Sequence, residues 1–428
     1  MKTLLSRWVG ALACLCLASA PVAAQIDPNV VGLPAASAPS GSEIIDVRQD
    51  GQRKAVPIGS LVTGVVNQYG VSTPYAGPTL PKWRKALAAL RAGGTTVPKI
   101  AFVGDSKTFG AGAGTGTNFT DSAFPKSRPS YVGALIAQAG IPTITDTWFG
   151  AGGMSTIAAI LTYDTRRSGF SGWGGGIVSM GGAALYTANT NPGNFQPGKA
   201  VNRARVYFVQ APGAATISVA KGAESFPVNT AGTNALGFSD IAFATKDSSP
   251  IVITRTGGGN LNVVGLSAWD SAAPGVEIAN LGVYGVTSAF QADTTNAYSP
   301  ANALATYAPN LTVINLGTND LATSVPLPTF LANIAVIIDK AQLSGDVVVT
   351  WPAIAGADGS TGTDVVRAAW KAGLRALAQS KGALFIDEEA LLGGRTGAVA
   401  NGWFTDDRHE TAAAYFAEAN PLTRVLLP

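Results

Sequence analysis

The feature that most constrains the fold is a change of hydrophobic periodicity that happens twice along the chain. From Pro81 the pattern alternates between helix and buried strand. Trp83, Leu87 and Leu90 recur at helical spacing, and Gly93-Gly94 stops that helix. Lys99-Ile100-Ala101-Phe102-Val103 then reads as a buried strand running into Gly104-Asp105-Ser106. A helix is expected near 131–139 and a strand near 144–148. Between about residues 164 and 275 the helical period vanishes. Short β-like runs at 204–210, 216–220, 225–228, 240–245, 251–256 and 261–269 follow one another there, parted by turn signals such as Ala211-Pro212-Gly213 and Gly257-Gly258-Gly259. After Gly275 the alternation returns, with strands at 276–279, 311–316, 346–351 and 383–386 and helices at 328–341 and 364–380.

Strands alternating with helices imply a parallel sheet covered on both faces, whereas short strands at regular spacing imply an antiparallel sandwich. The parts before and after the β-rich stretch are each incomplete alone. The expected organisation is therefore one α/β domain, residues 81–163 and 276–428, interrupted by an inserted β-sandwich at 164–275. A chain of 428 residues is long enough to bury a large core. Residues 25–80, rich in Pro, Ala, Gly, Ser and Val, read as an extended arm or small β-element. Its two candidate strands are Glu43-Ile44-Ile45-Asp46-Val47 and Ala55-Val56-Pro57-Ile58.

Composition removes several classes of function. Hydrophobic residues make up 46% and charged ones 13%, which excludes a disordered polyelectrolyte. A net charge of +3, evenly spread, gives no footprint for nucleic acid. One His and two Cys leave no set of nitrogen and sulfur ligands for zinc. Both cysteines, Cys14 and Cys16, fall in residues 1–24, which start with Lys2 and Arg7, continue through a short apolar run and end Val22-Ala23-Ala24. That is the pattern of a cleavable signal peptide, its apolar run well short of the roughly 20 residues that span a bilayer. The expectation is a secreted or periplasmic protein, free of cysteine once cut and without membrane insertion after signal removal.

The solitary histidine sits in Phe404-Thr405-Asp406-Asp407-Arg408-His409. An Asp three residues ahead of a His can fold back and accept from one ring nitrogen, which leaves the other nitrogen as a base. Asp407 is a rival on chemistry alone. Ser106 follows a buried strand and precedes the Gly-rich turn Phe109-Gly110-Ala111-Gly112, at the strand end where α/β sheets place their ligand sites. A serine hydroxyl needs an adjacent base to act as a nucleophile, and only one imidazole is available. Polar donors also follow two other strands, in Asn315-Leu316-Gly317-Thr318-Asn319-Asp320 and in Asn280-Leu281-Gly282-Val283-Tyr284-Gly285.

In this order the four segments resemble the SGNH/GDSL hydrolase family. Gly104-Asp105-Ser106 matches its first block, Gly285 its second, Gly317-Thr318-Asn319-Asp320 its third and Asp406-x-x-His409 its last. Gly150, in Trp148-Phe149-Gly150-Ala151-Gly152-Gly153, competes with Gly285 for the second block. The resemblance implies a flavodoxin-like three-layer α/β domain with Ser106 as nucleophile, His409 as base and Asp406 as its orienter. It also implies an oxyanion hole from the N–H groups of Ser106 and Gly285 and the amide of Asn319. No metal or organic cofactor is implied. Lys107 stands where the family often has Leu or His. An inserted carbohydrate-binding-like β-sandwich makes the chain similar to peptidoglycan and polysaccharide O-acetylesterases, so the implied partner is an acylated polysaccharide. Trp173, Tyr186 and Trp269 flank or end the insert and are candidates for stacking on sugar rings, though at least two read as core.

The expected activity is hydrolysis of short-chain, acetyl-type O-esters through an acyl-enzyme. A sugar O-acyltransferase or a short-chain lipase or arylesterase would use the same residues. A non-catalytic sugar-binding or adhesion protein is the reading outside enzymology, and the intact Ser, Asn and Asp/His positions count against it. No Gly-x-Ser-x-Gly elbow or Walker-type loop occurs. Glu388-Glu389 is the best glycosidase-like carboxylate pair, but adjacent residues in extended chain point apart.

Overall fold

Six short, almost entirely buried strands run parallel through the computed structural model, which describes residues 44–49, 52–57, 80–116, 119–354 and 362–427. They are β1 (Lys99–Gly104), β2 (Thr143–Ile144), β3 (Val276–Gly282), β4 (Leu311–Asn315), β5 (Asp346–Trp351) and β6 (Leu384–Asp387), in the sheet order β2-β3-β1-β4-β5-β6. Every neighbouring pair is parallel. Successive side chains of a strand point to opposite faces, so a run of apolar residues serves two cores at once. Ile100 and Phe102 join Ile278, Val313 and Val348 beneath the helices Pro81–Arg91, Arg128–Gln138 and Ala412–Leu426. Ala101 and Val103 join Leu281, Ile314 and Val349 beneath Pro300–Tyr307, Leu327–Gln342 and Asp364–Ser380. The result is the three-layer α/β arrangement that the alternation implied. At its start, Pro81 occupies the first helical turn, and the Trp83 indole donates to the Leu426 carbonyl at 2.8 Å, tying the first helix to the last.

Residues 147–269 build two antiparallel sheets. One contains Gly174–Ser179, Gly182–Thr187, Val201–Gln210, Ala235–Asp247 and Leu261–Trp269, with Thr147–Phe149 pairing onto the last. The other contains Arg167–Gly169, Gly193–Phe195, Ala215–Lys221, Glu224–Asn229 and Ile251–Gly258. Val206, Phe208 and Leu266 of the first meet Ile217, Val219 and Ile253 of the second. The opposite face of the first sheet, with Tyr207, Val209 and Val264, shares a core with Ala279 and Leu281 of β3 and with Tyr307. The antiparallel sheets therefore lie in the same compact unit as the parallel sheet, residues 74–428.

The single strand expected at 144–148 is two. Thr143–Ile144 pairs in the parallel sheet, and Thr147–Phe149 crosses into the antiparallel one. Between them the buried Asp146 accepts the Gly198 N–H at 2.7 Å, and its own carbonyl accepts from Ala268. The chain is thus pulled out of the first sheet by polar bonds that periodicity cannot register. Trp173 is core: it is buried against Phe170, and its indole donates to the Asn191 carbonyl at 2.9 Å. Tyr186 and Trp269 are half-buried. Glu388 is buried in an ion pair with Arg128, and Glu389 pairs with Lys371, so both carboxylates have structural partners.

Ile44–Gln49 and Gln52–Pro57 pair as an antiparallel hairpin within a separate unit, residues 1–73. The signal segment 1–24 lies outside the described residues. Among the described residues, no helix is long and apolar enough to cross a membrane.

One polar cluster fastens the two kinds of sheet together. Glu277 of β3, 3% exposed, accepts from the Tyr307 hydroxyl and from Ser267 Oγ at 2.7 Å. Tyr307→Phe leaves one carboxylate oxygen buried without its donor. It should lower unfolding free energy by about 1–3 kcal/mol, read from denaturant titration.

Candidate active site

The site is built where β1, β3 and β4 end. After Gly104, Asp105 turns the chain into the helix Ser106–Phe109, its Oδ1 accepting the Lys107 N–H at 3.0 Å. Burial pushes the Asp105 carboxyl up to about 6, against the lowering effects of the Lys107 N–H and of the charges of Lys107 and His409. Ser106 opens this helix and is 4% exposed.

The partner loop, 403–411, arrives from the far end of the chain. Asp406 Oδ1 accepts the N–H groups of Arg408 and His409, both at 2.7 Å, which folds the chain back on itself. That leaves Oδ2 to take the His409 Nδ1 proton at 2.7 Å. With Nδ1 protonated, Nε2 is an acceptor, and it lies 2.9 Å from Ser106 Oγ. Burial works to raise the Asp406 pKa, but the imidazole bond, the Arg408 N–H and the charge of His409 outweigh it and hold the carboxyl down to about 2. Asp407 is exposed and takes no part in this chain of bonds.

The loop and the turn after β1 fit closely. Gly112 has φ +94°, and a β-carbon there would stand 2.4 Å from the Glu410 carbonyl and 2.8 Å from His409 Cβ. Thr405 Oγ1 donates to the Gly112 carbonyl, and the Tyr415 hydroxyl donates to that of Ala111. The Tyr284 ring lies nearly parallel to the imidazole, 5.7 Å between centroids.

Asn319 follows β4, and one of its two amide protons goes to the Val286 carbonyl at 2.8 Å. Asp320 beside it is buried and accepts the backbone and hydroxyl protons of Ser288. These bonds tie the turn after β4 to the turn after β3, where Asn280 Oδ1 accepts the Gly282 N–H and Gly285 sits at φ +78°. Among the described residues, the N–H groups of Ser106 and Gly285 have no protein acceptor. The Gly150 N–H is already bonded to the Val264 carbonyl at 2.7 Å, inside the antiparallel sheet.

A serine hydrogen-bonded to an imidazole whose second nitrogen is held by a carboxylate has the arrangement that a base-activated nucleophile requires. Residues 254–417 match the family model of the GDSL-like lipase/acylhydrolases. The chain carries a GDSL-like hydrolase domain. Its reaction class is hydrolysis of a carboxylic ester. The matched stretch contains Gly285, Asn319, Asp406 and His409 but begins well after Ser106, and most of the antiparallel strands lie between Ser106 and its start. A solved structure of a peptidoglycan O-acetylesterase is similar in fold over 80% of this chain and 94% of its own, with TM-score 0.60 at 15% identity. A family two carbohydrate esterase from Clostridium thermocellum, solved with cellohexaose, overlaps 56% of this chain at 13% identity with TM-score 0.28. No curated protein matches the chain by sequence.

Sequence reasoning missed several groups packed around the site, namely Tyr284 over the imidazole, Asp320 holding Ser288, and the buried Glu410. Asp320 stands inside a recognisable block, whereas a Glu beside a His carries no mark of being buried.

Two substitutions separate the neighbouring carboxylates. Asp406→Asn should reduce kcat on an aryl acetate by about 10²–10⁴-fold through loss of the Nδ1–H tautomer, and Asp407→Asn should stay within about threefold of wild type. An equal collapse in both would move the orienting role away from Asp406. Gly112→Ala should cost at least about tenfold in kcat, because the loop bearing His409 must retreat. Retained full activity would show that the loop does not depend on this close approach.

Proposed function

We propose that the chain is exported and removes short acyl groups, acetyl above all, from a polysaccharide through an acyl-enzyme. The observation that carries the chemistry is the unbroken hydrogen-bond chain Asp406–His409–Ser106. In this reading Ser106 Oγ attacks the ester carbonyl as His409 Nε2 takes its proton. The tetrahedral oxyanion is met by the N–H groups of Ser106 and Gly285 and by the second amide proton of Asn319. Gly150 is not used, since its N–H is spent on Val264. The sugar hydroxyl leaves with the proton held by His409, and water then attacks acyl-Ser106 by the same route in reverse. Asp406 keeps the imidazole in one tautomer and stabilises its charged form throughout.

Support for the substrate class comes from the solved peptidoglycan O-acetylesterase. Its correspondence covers 80% of this chain, more than residues 81–163 and 276–428 can supply. It therefore takes in part of the antiparallel sheets. Support for export comes from the pattern of residues 1–24.

The test is a chain-length series of aryl esters on wild type, Ser106→Ala and Asn319→Ala, with free acetate measured alongside acetylated sugar. Turnover should be highest with acetyl, be lost in Ser106→Ala, and fall about 10²–10³-fold in kcat for Asn319→Ala. A preference for long acyl chains would make the protein a lipase. Acetylated sugar appearing in place of acetate would make it a transferase, and turnover surviving in Ser106→Ala would remove the serine mechanism.

A further inference from the structure

The residue after Ser106 and the residue after His409 form a second link between the same two loops. Lys107 Nζ donates to Glu410 Oε1 and to the Ala353 carbonyl beyond β5, with the two side chains 3% and 1% exposed. The Ser106–His409 and Lys107–Glu410 contacts each join positions 303 apart in the chain. We propose that this buried ion pair is a positioning device that sets the register of His409 against Ser106.

The physical case rests on what a buried ion pair supplies. Desolvation cancels most of its attraction, so it adds little stability, and an apolar pair of similar volume would do as well. It does select a geometry, since the Lys107 ammonium reaches Glu410 Oε1 and the Ala353 carbonyl together at one register while apolar groups tolerate sliding. That selectivity is placed where a displacement of about 1 Å between nucleophile and base is felt most. The surroundings suit the assignment. Asp105 on the nucleophile turn, Tyr415 and Glu418 on the helix Ala412–Leu426, and Arg128 at the start of Arg128–Gln138 all face the pair. Burial pushes the carboxyls of Asp105 and Glu418 up, and Arg128 is engaged by Glu388. Glu410 is thereby left as the carboxylate that meets Lys107. Backbone contacts at Gly112 bring the loops together, and the ion pair fixes how they align.

His409 is the only histidine, so its ring resonances need no assignment. The experiment records imidazole ¹⁵N–¹H spectra, thermal midpoints and 4-nitrophenyl acetate kinetics for three proteins. These are wild type, Glu410→Gln and the apolar double variant Lys107→Met/Glu410→Met. Wild type should show one imidazole species, protonated on Nδ1. The double variant should keep a thermal midpoint at or above wild type, yet show a second tautomer or exchange broadening and lose about ten- to a hundredfold in kcat with KM within about twofold. Glu410→Gln keeps a hydrogen bond and loses the charge, so it should fall between. Either variant, folded and with a wild-type imidazole spectrum, overturns the proposal. The kinetic arm rests on the esterase reading, and the spectra do not. Absence of wild-type turnover would count against that reading while the imidazole signals still decided the positioning role.

Discussion

A parallel sheet has to bring all its strands to an end along one edge, and everything at the site depends on that. β3, β1 and β4 are neighbours, so the residues just past their ends are delivered side by side although they are far apart in the chain. Gly285, Ser106 and Asn319 come from these three ends in that order. Strand spacing of about 4.8 Å sets the scale of the distances between the three strand ends. The fourth contributor, His409, does not come from a strand end. It is carried by a loop whose shape is set by Asp406, and that loop packs on the turn after β1 so closely that a β-carbon at Gly112 would stand 2.4 Å from the Glu410 carbonyl.

Much of this was legible from sequence because the physics is local. Strands buried on both faces have to be written as continuous apolar runs, and those beginning at Lys99, Leu311 and Asp346 are. Asp406 and His409 stand three apart, close enough for one turn to join them, so their pairing was readable without knowing the fold. What escaped the sequence was either too small or too remote. The strand Gly174–Ser179 has glycine at three of its six positions and Gly182–Thr187 opens on Gly-Ala-Ala, so neither offers a clear alternation of large apolar and polar side chains. The break between Thr143–Ile144 and Thr147–Phe149 depends on Gly198 and Ala268, which only the finished fold brings to Asp146. Lys107 and Glu410 look like surface charges in the sequence, but both are buried in the fold and paired with each other.

The position of the antiparallel sheets explains why the hydrolase signature is split. They enter between β2 and β3, so Ser106 is on one side of them and Gly285, Asn319, Asp406 and His409 are on the other. The family match therefore begins within the last two antiparallel strands and never reaches Ser106. The matched stretch lacks Ser106, and the sheet order brings that residue back beside it by placing β1 between β3 and β4.

The shared core has a consequence for how such a protein could be made smaller. Tyr207, Val209 and Val264 cover the same apolar surface that Ala279 and Leu281 present, and Glu277 relies in part on Ser267 for its hydrogen bonds. Excising the antiparallel sheets would strip β3 on one face and leave a carboxylate short of a donor, in the very strand that leads to Gly285. The segment is inserted in the sequence but integral in the packing, so a trimmed version would need a redesigned β3 before it could present a site at all.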